Sequence, residues 1–426
     1  MEHKEYLPRI IDSTVRLYLS TFGAVCIEGP KWCGKTWTSI HHSRSRVFLS
    51  DPVGNFQNRR LAEISPDLIL EGDKPRLIDE WQEFPPLWDA VRHAVDQSPE
   101  KGQFILTGSS TPPHKGILHS GAGRIAKLRM RPMSLFESGD SSGRVSLQDL
   151  CQGHITPCFT GDVDLRHLAE LILRGGWPEI LGLPLEKAVQ YTLNCLDAII
   201  DDDAFRLDGI KRNTAKMRLL LRSLARNEST AVSNRALKND IRDADAEDID
   251  VETIAGYLDI FERVFVTDNQ LPFSEGPLSS VRRKKAVKRH LADPSFACAL
   301  LQITTSKALI DDLDTFAFLF EALCERDLKI YAESFGGRLY HYQDYKNRQI
   351  DAVIALPGGQ WCAFEIALGA SEIDAAACKL LKLQKSLQQD EKGKPMSVMC
   401  VICGMASAAY QRPDGVFVVP VTALKN

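Results

Sequence analysis

Gly29-Pro30-Lys31-Trp32-Cys33-Gly34-Lys35-Thr36 fits the pattern G-x-x-x-x-G-K-[ST], follows the apolar run Ala24 to Ile27 and precedes a helical stretch. Strand, glycine loop and helix in that order make a phosphate cradle: the loop turns its N–H groups inward and the helix presents its positive end. Lys35 can reach the β and γ phosphates of ATP, and Thr36 can hold Mg²⁺. A second apolar run, Arg76-Leu77-Ile78-Asp79-Glu80, supplies the acids such a loop needs. Asp79 is read as the magnesium ligand and Glu80 as the base that polarises an attacking water. A third run, Gln103 to Leu106, ends in Thr107-Gly108-Ser109-Ser110, where the Ser109 hydroxyl is placed to sense the γ-phosphate or orient the water. Arg124, with Arg129 and Arg131 beyond it, is a candidate arginine finger, acting in cis or from a neighbouring subunit.

These residues need elements to hold them, and the chain has room for several. Its 426 residues predict about three domains. Hydrophobic residues at 44% and charged residues at 25% describe globular units with ordinary cores and exclude wholesale disorder. Fifty-two basic against 56 acidic side chains leave a formal charge of -4, too balanced for a protein that coats nucleic acid by bulk attraction. The first twenty residues are charged throughout and no apolar window spans a bilayer, so a cytoplasmic protein without membrane contact is expected. Eleven cysteines form no framework, and the single Cys400-to-Cys403 pair lies in an apolar run that reads as a buried strand.

Residues 1–145 alternate short apolar runs with helical stretches, the rhythm of a parallel α/β sheet. From 146 to 275 the apolar spacing turns helical. From 276 to 426 strands and helices alternate again, after the basic run Arg282, Arg283, Lys284, Lys285, Lys288 and Arg289. That run is the one cationic concentration long enough to engage a nucleic-acid backbone, against its use as a solvated connector.

Several motifs together resemble a known family of prokaryotic AAA-type (AAA+) P-loop ATPases. Besides the P-loop these are YLPR at 6–9, LIDEWQ, FILTGSS, GRIAKLRMRPMSLFE, RGGWPE at 174–179, KRHLADP, QIDAVIA at 349–355 and FEIALG at 364–369. The resemblance implies an AAA+ core, a winged-helix-like segment near 212–272 and a restriction-endonuclease-like α/β domain at the carboxyl end. In the winged-helix-like segment the later helix carries Glu252, Asp259 and Glu262. It would repel phosphates, so domain packing is expected of it rather than DNA reading.

Nucleases of the restriction-endonuclease-like class put an acid on one strand, a second acid on the next and a lysine two residues later. Asp351 and Glu365 fit the two acids and Glu321 is a third candidate, but the lysine position holds Ala367. Lys379 and Lys382 on the next helical stretch are the available substitutes. The domain is therefore expected to be a degenerate fold kept for docking.

The reading is a Mg-dependent ATPase whose nucleotide state rearranges the carboxyl-terminal domains. Its ligands are ATP and Mg²⁺, with DNA or a protein as partner and a homo-oligomer as a candidate assembly. The alternatives are a slowly turning-over partner- or DNA-binding switch and an ATP-gated nuclease.

Overall fold

The computed structural model describes residues 5–111, 118–207, 209–273, 286–345, 348–389 and 394–426. In its first part β1 (Ala24–Glu28), β2 (Ser45–Phe48), β3 (Arg76–Asp79), β4 (Phe104–Gly108) and β5 (Ile125–Arg129) form one sheet in the order β2-β3-β4-β1-β5. Every pairing in it is parallel. Successive residues of β1 and β4 feed opposite faces: Val25, Ile27 and Ile105 enter one core, and Ala24, Cys26, Phe104 and Leu106 the other. Both faces are therefore buried, as the unbroken apolar runs require. In such a sheet the strand ends carrying the P-loop, Asp79 and Ser109 all lie at one edge.

Three capped helices, Thr214–Arg226, Asn234–Asp245 and Val251–Arg263, follow in the middle of the chain. Asn213, Ser233 and Asp250 each accept a backbone N–H of the first turn, which stops fraying where polar loops enter. The stretch around Thr267 and Gln270 then bridges antiparallel to Lys288 and Leu291, and Thr230 to Arg289.

A second sheet runs β7 (Cys158–Phe159), β12 (Ala408–Gln411), β13 (Phe417–Pro420), β11 (Val398–Cys403), β10 (Trp361–Ala367), β9 (Gln349–Ala355), β8 (Arg338–Gln343). A small pair joins β6 (Val145–Ser146) to β14 (Leu424–Lys425). Thus β7, in the region 146–275, and β6, astride its first boundary, pair with carboxyl-terminal strands, and Lys288 to Leu291 pair back onto the helical region. Long-range strand pairing leaves no local compositional mark, so contiguous boundaries at 145 and 275 miss both exchanges.

The helix Leu313–Ser334 starts at its cap Asp312 and buries Phe316, Phe320, Leu323, Leu328 and Tyr331. It belongs to a core that also takes Val25 and Ile27 of the first sheet and Phe364 and Ile402 of the second. One continuous core therefore joins all three regions. Among the described residues no helix is long and apolar enough to cross a membrane.

Candidate functional site

The loop between β1 and the helix Lys35–His42 owes its shape to two glycines. A Cβ on Gly29 would lie 2.1 Å from the Met130 carbonyl oxygen, and Gly34 has φ +104°. Lys35 is buried and its Nζ donates to the Pro30 carbonyl at 2.8 Å, inside the loop it belongs to. Thr36 Oγ1 donates to Asp79 Oδ1 at 2.9 Å, and Thr107 Oγ1 donates to the same oxygen at 2.7 Å. Because β4 stands between β1 and β3, Thr107 is the residue that closes this bridge. Burial pushes the Asp79 carboxyl up, Thr107 pulls it down, and Glu80 next to it pushes it up again. The hydroxyl and carboxylate oxygens gathered here are the hard donor set that Mg²⁺ takes, so the residues present fit that ion.

Glu80 sits in the left-handed region at φ +57°, a strained conformation for a residue with a side chain. Its backbone N–H donates to Thr107 Oγ1, and its carboxylate accepts from Ser109 Oγ at 2.8 Å and from Gln82 Nε2. Gln82 also donates to Ser109 Oγ at 3.2 Å. Asp79, Glu80 and Ser109 are thus brought together beside Lys35 and Thr36. Thr107 and Gln82 complete the group; both lie inside the motifs FILTGSS and LIDEWQ, but sequence gave their side chains no role.

Arg124 is placed elsewhere. Its carbonyl accepts from Ala24, the first residue of β1, so it lies about four strand residues, roughly 13 Å, below the P-loop. Half-exposed, it pairs with Asp96 at 2.7 Å. Within one chain it does not reach the loop, which corrects the finger in cis. Arg129 and Arg131, at the correct end of β5, are both engaged: Arg129 lies over the Phe265 ring at 3.9 Å, and Arg131 pairs with Asp268 and Glu333, each at 2.6 Å.

Sequence reading also passed over Arg9. Its guanidinium donates to Cys33 O in the P-loop at 2.7 Å, to Arg131 O at 2.9 Å and to Glu137 at 3.0 Å. The motif YLPR marked the place without giving the role. From the other side, Gly175 and Gly176 cross Asp293 and Met133 so closely that a side chain at either position would collide. A Cβ on Gly176 would meet Met133 O at 2.1 Å, and one on Gly175 would meet Ser295 Oγ at 2.4 Å. This strap brings Pro178 to the cavity of the P-loop.

A second group of charges lies in the carboxyl-terminal region. Antiparallel β9 and β10 bring Asp351 and Glu365 side by side, and Asp351 Oδ2 accepts the Ile366 N–H at 2.9 Å. Lys379, from the helix Ile373–Gln388, reaches both acids, with Nζ 2.6 Å from Glu365 Oε2 and 3.8 Å from Asp351 Oδ1. A positive charge thus stands beside the two acids although Ala367 carries none, and it comes from Lys379, one of the two substitutes that the next helical stretch offers. Lys382 is exposed on that helix. Burial pushes Glu365 well above the usual carboxylate range, and Asp351 beside it adds to the rise. Glu321 is pushed up to about 8 by burial, against the pull of Lys288.

Lys288 itself is buried between Glu321 and Glu325, the latter at 2.7 Å, and is not a backbone-binding cation. Arg289 is half-buried and donates to Asn234 at 3.2 Å. The other four basic residues of that run lie outside the described residues. His290 hydrogen-bonds Glu228 at 3.0 Å and pairs with Glu325 at 2.7 Å; burial opposes its charge, yet the two carboxylates raise its pKa to about 9. The outer face of the helix Val251–Arg263 exposes Glu252, Asp259 and Glu262. Its end docks just beyond the end of β4, where Thr111 N donates to Arg263 O at 2.9 Å and Arg263 Nε to Thr111 O at 3.2 Å.

Compared with known proteins, residues 21–138 match the family model described as AAA domain. The match supports a P-loop ATPase of the AAA type. Residues 165–307 match a domain of unknown function (DUF8612), and 316–424 match another (DUF4143). No curated protein matches. Similar solved structures include the Walker-type ATPase PABY2304 of Pyrococcus abyssi, 14% identical with a TM-score of 0.44, over 69% of this chain and 96% of that one. Cdc6p from Pyrobaculum aerophilum is 9% identical with a TM-score of 0.22, over 70% of this chain and 97% of that one.

Proposed function

We propose that the chain binds Mg-ATP at the P-loop and hydrolyses it, and that the nucleotide state alters how the helical and carboxyl-terminal regions are held. One observation carries the reading: Thr36 and Thr107 share Asp79 Oδ1 while Glu80, the next residue, is held by Ser109 within the matched AAA domain. Lys35 leaves the Pro30 carbonyl for the β and γ phosphates. Thr36 and Asp79 would hold Mg²⁺, which would supply neutralisation of the phosphate charge. Glu80 takes the proton of the attacking water, and Ser109 fixes its carboxylate until the γ-phosphate arrives. The segment from Ser109 to Thr111 then ties the site to Arg263 and the helical region. Arg124 is available only to a neighbouring copy.

Lys35→Ala protein is expected to lose nucleotide binding, because the buried Lys35 ammonium is the main side-chain counter-charge for the β and γ phosphates. Titration of Mg-ATP against both proteins checks this, and unchanged affinity in the variant would sink the assignment.

An ATP-gated nuclease is a second reading, favoured by the Lys379 ammonium standing 2.6 Å from Glu365 and beside Asp351. Two acids and one cation are the charges that metal-assisted phosphodiester hydrolysis uses. On this reading, DNA incubated with Mg²⁺ or Mn²⁺ and ATP is nicked by the wild type, and Asp351→Ala and Lys379→Ala abolish the nicking. Silence of the wild type returns the domain to a docking role.

A further inference from the structure

The acid group of the carboxyl-terminal region opens onto a cavity of about 510 Å³, where Lys288, Glu321 and Asp351 share a wall with Ser229 and Thr230 of the helical region. Most of the surrounding acids have a cation of their own. Glu365 takes Lys379 at 2.6 Å, and Glu325 and Glu228 share His290 at 2.7 and 3.0 Å. Glu321 is held by Lys288, whose Nζ also donates to Glu325 at 2.7 Å and to the Asp351 carbonyl oxygen at 3.3 Å. Glu365, 3% exposed, keeps its Oε1 buried without a hydrogen-bond partner among the described residues. Clustered carboxylates with a spare buried oxygen are the hard-oxygen set that a divalent cation takes, so the residues present fit one. Lys288 supplies positive charge to that set instead.

Lys288 is carried by a ribbon that is tied to the AAA domain. Gln270 and Lys288 exchange backbone hydrogen bonds at 2.9 and 3.0 Å, Asp268 N donates to His290 O at 3.0 Å, and Ala292 N to Val266 O at 2.8 Å. Gln270 Nε2 reaches the Asp351 carbonyl oxygen at 3.4 Å, so the ribbon meets the acid group through two side chains. Its other end follows directly on Arg263, which exchanges two hydrogen bonds with Thr111, just past Ser109. Arg129, the last residue of β5, lies over the Phe265 ring, and Arg131 beyond it pairs with Asp268 at 2.6 Å. In a parallel sheet β4 and β5 end at the edge that carries the P-loop, so a shift at that edge is passed to the ribbon and to Lys288.

We propose that Lys288 is a tethered counter-ion that keeps a divalent cation off Glu321, Asp351 and Glu365, and that nucleotide at the P-loop draws it away through the ribbon. The device rests on the two readings above, of the P-loop and of the acid group, and supplies the gate between them. When Lys288 leaves, Glu325 keeps His290 as its counter-charge and Glu321 is left unpaired. A buried carboxylate without a cation is costly, and a divalent ion entering from the cavity removes that cost.

Two measurements on the full chain test this. Mn²⁺ titrated without nucleotide binds Lys288→Gln roughly tenfold more tightly than the wild type, because it no longer displaces a buried ammonium. The gain disappears in Lys288→Gln/Asp351→Asn, which leaves the P-loop acids intact, and Lys288→Arg, which keeps the charge, binds Mn²⁺ as the wild type does. The second measurement needs no variant to fold. In the wild type Lys288 resists acylation by acetic anhydride, since an ammonium held by two carboxylates has no free electron pair, and a saturating non-hydrolysable Mg-ATP analogue makes it react, as read by mass spectrometry. Equal Mn²⁺ affinity in the wild type and Lys288→Gln overturns the proposal, as does a gain that survives Asp351→Asn or labelling that the bound analogue leaves unchanged. If none of these proteins binds Mn²⁺ in a way that depends on Asp351, the acid-group reading fails and the proposal with it. If the analogue does not bind, the P-loop reading fails and the proposal with it.

Discussion

Glu80→Gln protein binds Mg-ATP as the wild type does and turns it over roughly 10²–10⁴-fold more slowly, the contribution of a positioned general base. The amide has the size of the carboxylate and keeps an oxygen for Ser109, but it cannot take the proton of a water. The backbone at φ +57°, fixed by the Thr107 hydroxyl bond, holds the side chain in place in either case. Asp79→Asn is the necessary contrast. Asp79 Oδ1 accepts from both Thr36 and Thr107, so losing its charge weakens the magnesium site and ATP affinity falls along with turnover. Nucleotide titration and phosphate release, measured on both variants, separate the roles. Equal binding defects in the two would show that Asp79 and Glu80 do not divide the work, and undiminished turnover in Glu80→Gln would remove the base from Glu80 altogether.

What sequence could show of this site follows from how local each feature is. The P-loop and the Asp79-Glu80 pair are contiguous residues at strand ends, and a parallel sheet brings those ends together without further information. Arg124 failed for a reason the same sheet contains: it precedes its strand, and in a parallel sheet residues before a strand lie at the edge away from the P-loop. Lys379 could be seen only as a substitute without a place, because a helix turn, a loop and a strand register separate it from Glu365. Lys288 sat in a run of cations that suggested a solvated face. The helix Leu313–Ser334 instead presents Glu321 and Glu325 to it, and those buried carboxylates draw the ammonium inward. Pairing of β6 and β7 with strands far later in the chain was illegible for a related reason, since two-residue strands carry no periodicity.

The strap that brings Pro178 to the P-loop cavity hangs on a buried ion cluster. Arg326 Nη1 donates to Asp293 Oδ2 at 2.7 Å, and its Nε and Nη2 donate to Asp327 Oδ1 at 3.0 and 2.8 Å. Asp293 in turn accepts Gly176 N, and Asp327 Oδ2 accepts Leu135 N at 2.9 Å, so one guanidinium ties the long helix to both the strap and the end of the AAA domain. Both aspartates are fully buried and the arginine nearly so. Arg326→Ala leaves two carboxylates without their cation in the interior, and the expected loss is about 3–5 kcal/mol of stability. Denaturant unfolding measures it, and a loss under about 1 kcal/mol would show that water or another cation takes over the site. Arg326→Met combined with Asp293→Asn and Asp327→Asn removes the charges together and should recover most of the stability, since the penalty comes from unpaired charge rather than lost volume. It should not recover ATP affinity to the same degree: the amide introduced by Asp293→Asn offers Gly176 a weaker acceptor than a carboxylate, and the strap carrying Pro178 would sit less firmly against Gly34. Stability restored with affinity still reduced is the result that identifies the cluster as the anchor of the strap at the P-loop cavity.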